Sequence, residues 1–173
     1  MFLRSSRSTA LLGLIALFGI AFAPSTPAKN REGFNKFART YQGGYSLATP
    51  AESLAGPGTV RIRASHDGRS ARVTWINTFY TPRGAHRVKL KWVFRKNNSL
   101  TARSMDPRTG YQPAVGEYTL KHRRTRFTAT ASTGAAVTGE MRLVGGATLS
   151  INATITGLPD GDVTFGFSGS RKR

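Results

Sequence analysis

The chain has no cysteine, only eight acidic residues against 26 lysines and arginines, and three histidines in 173 residues. Lack of cysteine excludes disulfides, thiolate metal sites and cysteine nucleophiles. The few acids leave little for paired-carboxylate chemistry. Asp67, Asp106 and Asp160 stand beside glycine or proline, where turns use them. Asp160-Gly161-Asp162 lacks the further oxygens of a calcium loop. His66, His86 and His122 are far apart, each next to a turn or to basic residues, and read as solvated side chains rather than zinc ligands. Ser168, in Gly166-Phe167-Ser168-Gly169, has neither the spacing of a nucleophile elbow nor a helix after it. No glycine-rich phosphate cradle opens a helix. The sequence therefore assigns no catalytic residue, no metal and no cofactor, and a non-enzymatic role is expected.

The one long apolar run lies at the N-terminal end. Arg4 and Arg7 precede Ala10 to Ala23, 14 residues that are all apolar or glycine, and Pro24 and Pro27 follow. A membrane span needs about 20 such residues, so the layout is that of an export signal. Cleavage is expected after Ala28, or after Ala23, to release a secreted or periplasmic product with no transmembrane segment. Removing residues 1–28 takes away two arginines and no acid, leaving 24 basic against 8 acidic residues. The division is then a signal peptide over 1–28, a lead-in over 29–42 and one domain over 43–173. In the lead-in, Phe34 and Phe37 have the spacing of one helical turn packed by its aromatic side, weakened by Gly33.

From Gly43 onward the helix period is missing and apolar residues alternate with polar ones, as on strands with one buried face. Val60, Ile62 and Ala64 alternate with Arg61 and Arg63 before Asp67-Gly68, a hairpin signal. Ala71, Val73 and Trp75 alternate with Arg72 and Thr74 up to the turn Thr81-Pro82-Arg83-Gly84. Val88, Leu90, Trp92 and Phe94 alternate with Arg87, Lys89 and Lys91 up to Asn97-Asn98. Leu100 and Ala102 point inward with Arg103 outward. Asp106 to Val115 is the longest irregular connection, a rim loop or lid. Tyr118 and Leu120 then occupy even positions but Phe127, Ala129 and Ala131 odd ones, which places a turn or bulge near Arg123-Arg124.

Short strands joined by tight turns predict an all-β antiparallel meander of about 8–10 strands. It closes, or nearly closes, into an up-and-down barrel in which the last strand, from Val163, pairs with the first, from Gly43. A two-sheet sandwich is the alternative. In shape this resembles the lipocalin and avidin class of small exported barrels. Where lipocalins carry Gly-x-Trp, this chain has Gly43-Gly44-Tyr45, and shape alone assigns no ligand.

Charge is unevenly spread. Residues 58–126 hold 16 lysines and arginines against Asp67, Asp106 and Glu117, while residues 127–173 hold four against three acids. Sequence neighbours in a meander are neighbours in space, so Arg61, Arg63, Arg72, Arg87, Lys89, Lys91 and Arg103 are expected on one outer face of four adjacent strands. Its partners outside the cytoplasm would be anionic glycans, lipid head groups, cell-wall polymers or extracellular nucleic acid. Two alternatives stand beside this. In one, Trp75, Trp92, Phe94, Phe165 and Phe167 line an interior that carries a small apolar ligand, as in a lipocalin. In the other, the protein is a structural envelope component and its basic strands only keep it soluble.

Overall fold

The computed structural model describes residues 33–81, 84–105 and 113–172. The export signal read over 1–28, Pro82-Arg83 of the predicted turn, Asp106 to Gln112 of the predicted rim loop and the side chain of His86 lie outside the described residues. Among those described, no helix is long and apolar enough to cross a membrane.

Ten antiparallel strands form a closed barrel: β1 Thr40–Ala48, β2 Ser53–Ala64, β3 Ala71–Thr81, β4 Gly84–Phe94, β5 Ser99–Ser104, β6 Ala114–Lys121, β7 Arg124–Ala131, β8 Ala136–Val144, β9 Thr148–Thr156 and β10 Val163–Arg171. Each strand pairs with its sequence neighbour, and β1 pairs with β10 from Tyr41↔Arg171 to Ala48↔Thr164. Closure leaves no strand among the described residues without partners on both sides, which decides for the barrel over the sandwich.

The alternation read in the sequence is the alternation observed. Val60, Ile62, Val73, Trp75, Trp92, Phe94, Leu100, Phe127, Met141, Leu149 and Ile151 are buried inside, while the residues between them face out. The parity switch is a two-residue turn, His122-Arg123, between the pair Lys121↔Arg124. His122 takes a left-handed conformation there, with φ of 54°, as Asn98 does at 62° in the β4–β5 turn.

Residues 33–42 of the lead-in pack into the barrel: Gly33–Lys36 form one turn of 3₁₀ helix, packed by its aromatic side as the spacing of Phe34 and Phe37 suggests, and both rings are fully buried with Tyr41 at one end of the barrel. The Phe34 ring packs 5.1 Å from Phe94 and 5.5 Å from Tyr118, and its N–H donates to the Gly68 carbonyl at 2.9 Å. Strand β2 begins at Ser53, ahead of the alternation that starts at Val60. The intervening Gly56 and Pro57 look like breakers, yet Pro57 pairs with Gly44 beyond the last β2–β3 pair, Gly58↔Asn77. On that side the strand has no ladder, a position that accepts a residue without an N–H.

Backbones approach closely where β10, β1 and β2 meet. Gly43 pairs with Gly169 on one side and Gly58 on the other, so three inward glycines sit side by side. A Cβ on Gly43 would fall 2.0 Å from the Ser168 carbonyl oxygen and 2.4 Å from the Gly169 Cα, a contact no side chain can make. Phe167 fills the space this row leaves, lying against Gly58 and Gly169.

The two ends of the barrel differ. The 3₁₀ turn plugs the end that carries the β2–β3, β4–β5, β6–β7 and β8–β9 turns. The opposite end, where β3 runs into β4 and β9 into β10, is lined by partly exposed apolar residues such as Leu47, Leu90, Ile155 and Phe165. We call it the mouth.

Candidate anion-binding face

Because side chains alternate across each strand, the cations of β2 to β5 project outward once their apolar partners turn in. Arg61, Arg63, Arg72, Arg87, Lys89 and Arg103 are exposed and Lys91 is half-buried. The register brings them together: Arg63 stands opposite Arg72, Lys91 opposite Arg103, and Lys91 opposite Thr74, one step from Arg72. From Arg87 near the mouth, through Lys89 and Lys91, to Arg72 beside Val93 near the plug, the stripe is about 20 Å long at the usual rise per strand residue.

Like charges paired across strands repel, and Lys91 records this. Arg72 first, then partial burial, then Arg103 hold its ammonium below the ordinary lysine range. None of the seven cations has an ion pair with a described carboxylate. The ion pairs among the described residues lie elsewhere: Lys96 with Asp67 at 2.6 Å, and Arg124 and Arg126 with Glu140.

At its plugged end the stripe runs into a groove of about 440 Å³ whose polar lining is Arg63, Ser65, Ser70, Arg72, Arg95 and Lys96. Arg95 and Lys96 were not assigned to the face from sequence, since they lie in the β4–β5 turn where the strand alternation stops. Tyr118 sets their position from inside the barrel. Its hydroxyl donates to the Arg95 carbonyl at 2.7 Å and lies 3.2 Å from that of Arg69, tying together the two turns that flank the groove.

Asp67 bonds to two of the groove's lining residues, Ser65 and Lys96. Its carboxylate accepts from Lys96, from the Ser65 hydroxyl at 2.6 Å and from the Arg69 N–H at 3.1 Å, and these partners hold it far below the usual carboxylate range. A carboxyl whose folded-state pKa is depressed adds stability that is complete above its unfolded value, about 3.9, and is lost as pH falls below it. Asp67→Asn is therefore expected to lower the melting temperature at neutral pH, with the gap to wild type closing below about pH 4. Thermal unfolding followed across that range checks this. A gap that persists unchanged in acid would deny the carboxylate its role.

The predicted interior set is inside. Trp75, Trp92, Phe94 and Phe167 are buried and Phe165 is partly so. The Trp75 and Trp92 rings lie 4.9 Å apart, Phe165 stands edge-on to Trp75 at 5.4 Å, and Phe127 is edge-on to Trp92 at 4.7 Å. Phe127 was not in the predicted set, although its odd-numbered parity on β7 points it there. Among the described residues no three His, Asp or Glu side chains come close enough to hold a metal ion.

Ten antiparallel strands, joined in sequence order and closed on themselves, define an up-and-down β-barrel. No known protein family matches this chain, and no curated protein matches it. Solved structures share the fold. An S-type phycobiliprotein lyase, CPES, of Guillardia theta superimposes with a TM-score of 0.59 at 14% identity, over 81% of this chain and 90% of the lyase. A redesigned β-barrel matches with a TM-score of 0.44 at 13% identity, over 80% of this chain and 94% of its own. A de novo fluorescence-activating β-barrel matches with a TM-score of 0.42 at 13% identity, over 80% and 95%. At such identities the likeness to the lyase extends to the fold alone.

Proposed function

We propose that this protein is an exported, non-enzymatic binding protein that engages an anionic polymer or an anionic lipid surface through the outer face of β2 to β5. One observation carries the reading: seven cations lie on four adjacent strands, and none is ion-paired with a described carboxylate. A basic surface serving only solubility would gain by interspersing acids, which removes the repulsion between neighbours. Here Arg63 faces Arg72 and Lys91 faces Arg103, and a bound row of sulfates, phosphates or carboxylates relieves both pairs at once. The stripe's length suits a ligand with several charges in a line better than a single small anion.

The test is the salt dependence of binding. The protein is expected to bind a sulfated polysaccharide, vesicles containing anionic lipid, or single-stranded nucleic acid at low ionic strength, and to release as salt rises, since charge-driven association is screened and counterions are re-bound. The ranking of these three identifies the class of partner. Binding to none of them at low salt, or binding indifferent to salt, would overturn the proposal.

A further inference from the structure

Independently of the outer face, we propose that the mouth half of the barrel is a binding site for a small, flat, mostly apolar molecule bearing one group that both donates and accepts a hydrogen bond, such as a hydroxyl or an amide. Three polar atoms carry the inference. The indole nitrogens of Trp75 and Trp92 and the Oδ1 of Asn77 are buried without a hydrogen-bond partner. Buried polar groups are nearly always satisfied, so orphans mark a place where something else supplies the partner. These three are not scattered: Trp75 and Asn77 are consecutive inward residues of β3, and Trp92 is on the neighbouring strand with its ring against Trp75. Two of the orphans donate and one accepts.

The surrounding wall explains the apolar part of the ligand. Toward the plug the large side chains Phe34, Phe37, Phe94, Tyr118, Met141 and Leu149 fill the interior around the smaller Ala71 and Thr125. Toward the mouth the inward side chains of β5, β6 and β7 are small, while Tyr45 and Leu47 on β1 remain large. Ala102, Ala114 and Ala131 pair directly across β5, β6 and β7, a row of methyl groups continuing from Trp92, which pairs with Ala102. The tryptophan pair with Phe127 and Phe165 therefore makes a floor. Asn77, Leu90 and the alanine row stand above it, and the partly exposed Leu47 and Ile155 lead outward. Trp75 and Trp92 are each 1% exposed, so a flat ring reaches that floor as the partly exposed Leu47, Leu90 and Ile155 move aside, and it then meets aromatic faces below and alanine methyls at its edge, with its polar group turned to β3 and β4.

The chain has only two tryptophans, and both belong to this site. The two indole N–H resonances of the intact protein thus report on it directly. Titration with 2-naphthol, a flat neutral ring whose hydroxyl can accept from an indole and donate to Asn77, is expected to shift both resonances along one saturation curve. Naphthalene, without the hydroxyl, is expected to bind about tenfold more weakly, the worth of roughly one hydrogen bond. Asn77→Leu should weaken 2-naphthol binding and narrow its advantage over naphthalene, the indole bond being retained. Ala114→Phe, which places a ring in the alanine row, should abolish binding of both probes while the dispersed indole signals show that the barrel is still folded. The Arg87→Gln/Lys89→Gln/Lys91→Gln variant should bind 2-naphthol as wild type does, which separates this site from the outer face. Indole resonances in the folded wild type that fail to move at saturating 2-naphthol, equal affinity for the two probes, or loss of binding in the outer-face variant would each overturn the proposal.

Discussion

Replacing Phe34 by alanine is expected to lower the stability of the barrel by about 4 kcal/mol, the usual range for a fully buried aromatic whose cavity cannot collapse. For a domain of this size that corresponds to a fall in melting temperature of roughly 10 °C. Three contacts are lost or loosened together. The ring no longer packs against Phe94 and Tyr118, Phe37 loses its aromatic neighbour at 6.3 Å, and the turn is left anchored to the β2–β3 hairpin only by its N–H bond to Gly68. Relaxation is hindered because Gly33, with φ of 81°, lies where any Cβ would sit 2.4 Å from the Gly68 carbonyl oxygen, so the backbone beside the turn has little room to shift. Phe34→Leu, which keeps most of the volume, should cost far less, and Lys36→Ala in the same turn about 0.5 kcal/mol or less. Thermal or denaturant unfolding of the three variants decides the matter. A loss below about 1 kcal/mol for Phe34→Ala would mean that the plug adds little to the barrel.

The second large effect concerns affinity. Changing Arg87, Lys89 and Lys91 together to glutamine is expected to weaken binding to an anionic surface about 100-fold at low salt, taking about 1 kcal/mol for each cation held near such a surface and tenfold for each 1.4 kcal/mol. The dependence of log affinity on log salt should become shallower by up to about three, one for each contact removed. Folding should not suffer, since the substitution removes the repulsion that Arg72 and Arg103 exert on Lys91. Arg142→Gln, on β8 away from the stripe, serves as the matched control and should leave affinity within about twofold. Isothermal titration at several salt concentrations provides the measurement. If the triple variant and the control behave alike, the stripe is not the binding surface.

Much of the architecture was legible because period-two patterning is a direct consequence of strand geometry. Wherever Val, Ile, Trp and Phe alternated with Arg, Lys and Thr, as from Val60 to Ala64 and from Val88 to Phe94, the inward and outward faces could be read residue by residue. The turn between β6 and β7 was legible for the same reason, because a change of parity has to happen somewhere. Legibility failed where local chemistry and tertiary context disagree. Gly56 and Pro57 carry breaker signals, but lie where β2 has a ladder on one side only. Phe34 and Phe37 are too few to announce a core element, and only the barrel end waiting for them makes them one. The outer stripe could be assembled in advance because its register follows from a simple meander. The groove that Arg95 and Lys96 complete could not, because turn residues have no fixed side. Nor could the unsatisfied indoles be foreseen, since parity says that Trp75 and Trp92 point inward and nothing about what their nitrogens meet.

Nine of the ten strand pairings join sequence neighbours, and only the seam between β1 and β10 links residues more than a hundred positions apart. The chain can therefore zip hairpin by hairpin, deferring its single non-local step until the rest is assembled, and the entropy of that step grows only with the logarithm of the intervening length. Until the seam shuts, β1 and β10 are open edges able to recruit another chain. Arg39 and Lys172 flank one end of that seam, where Lys172 donates its backbone N–H to Thr40 at 2.9 Å. Their charges place a barrier to intermolecular strand addition on the last edge to be covered.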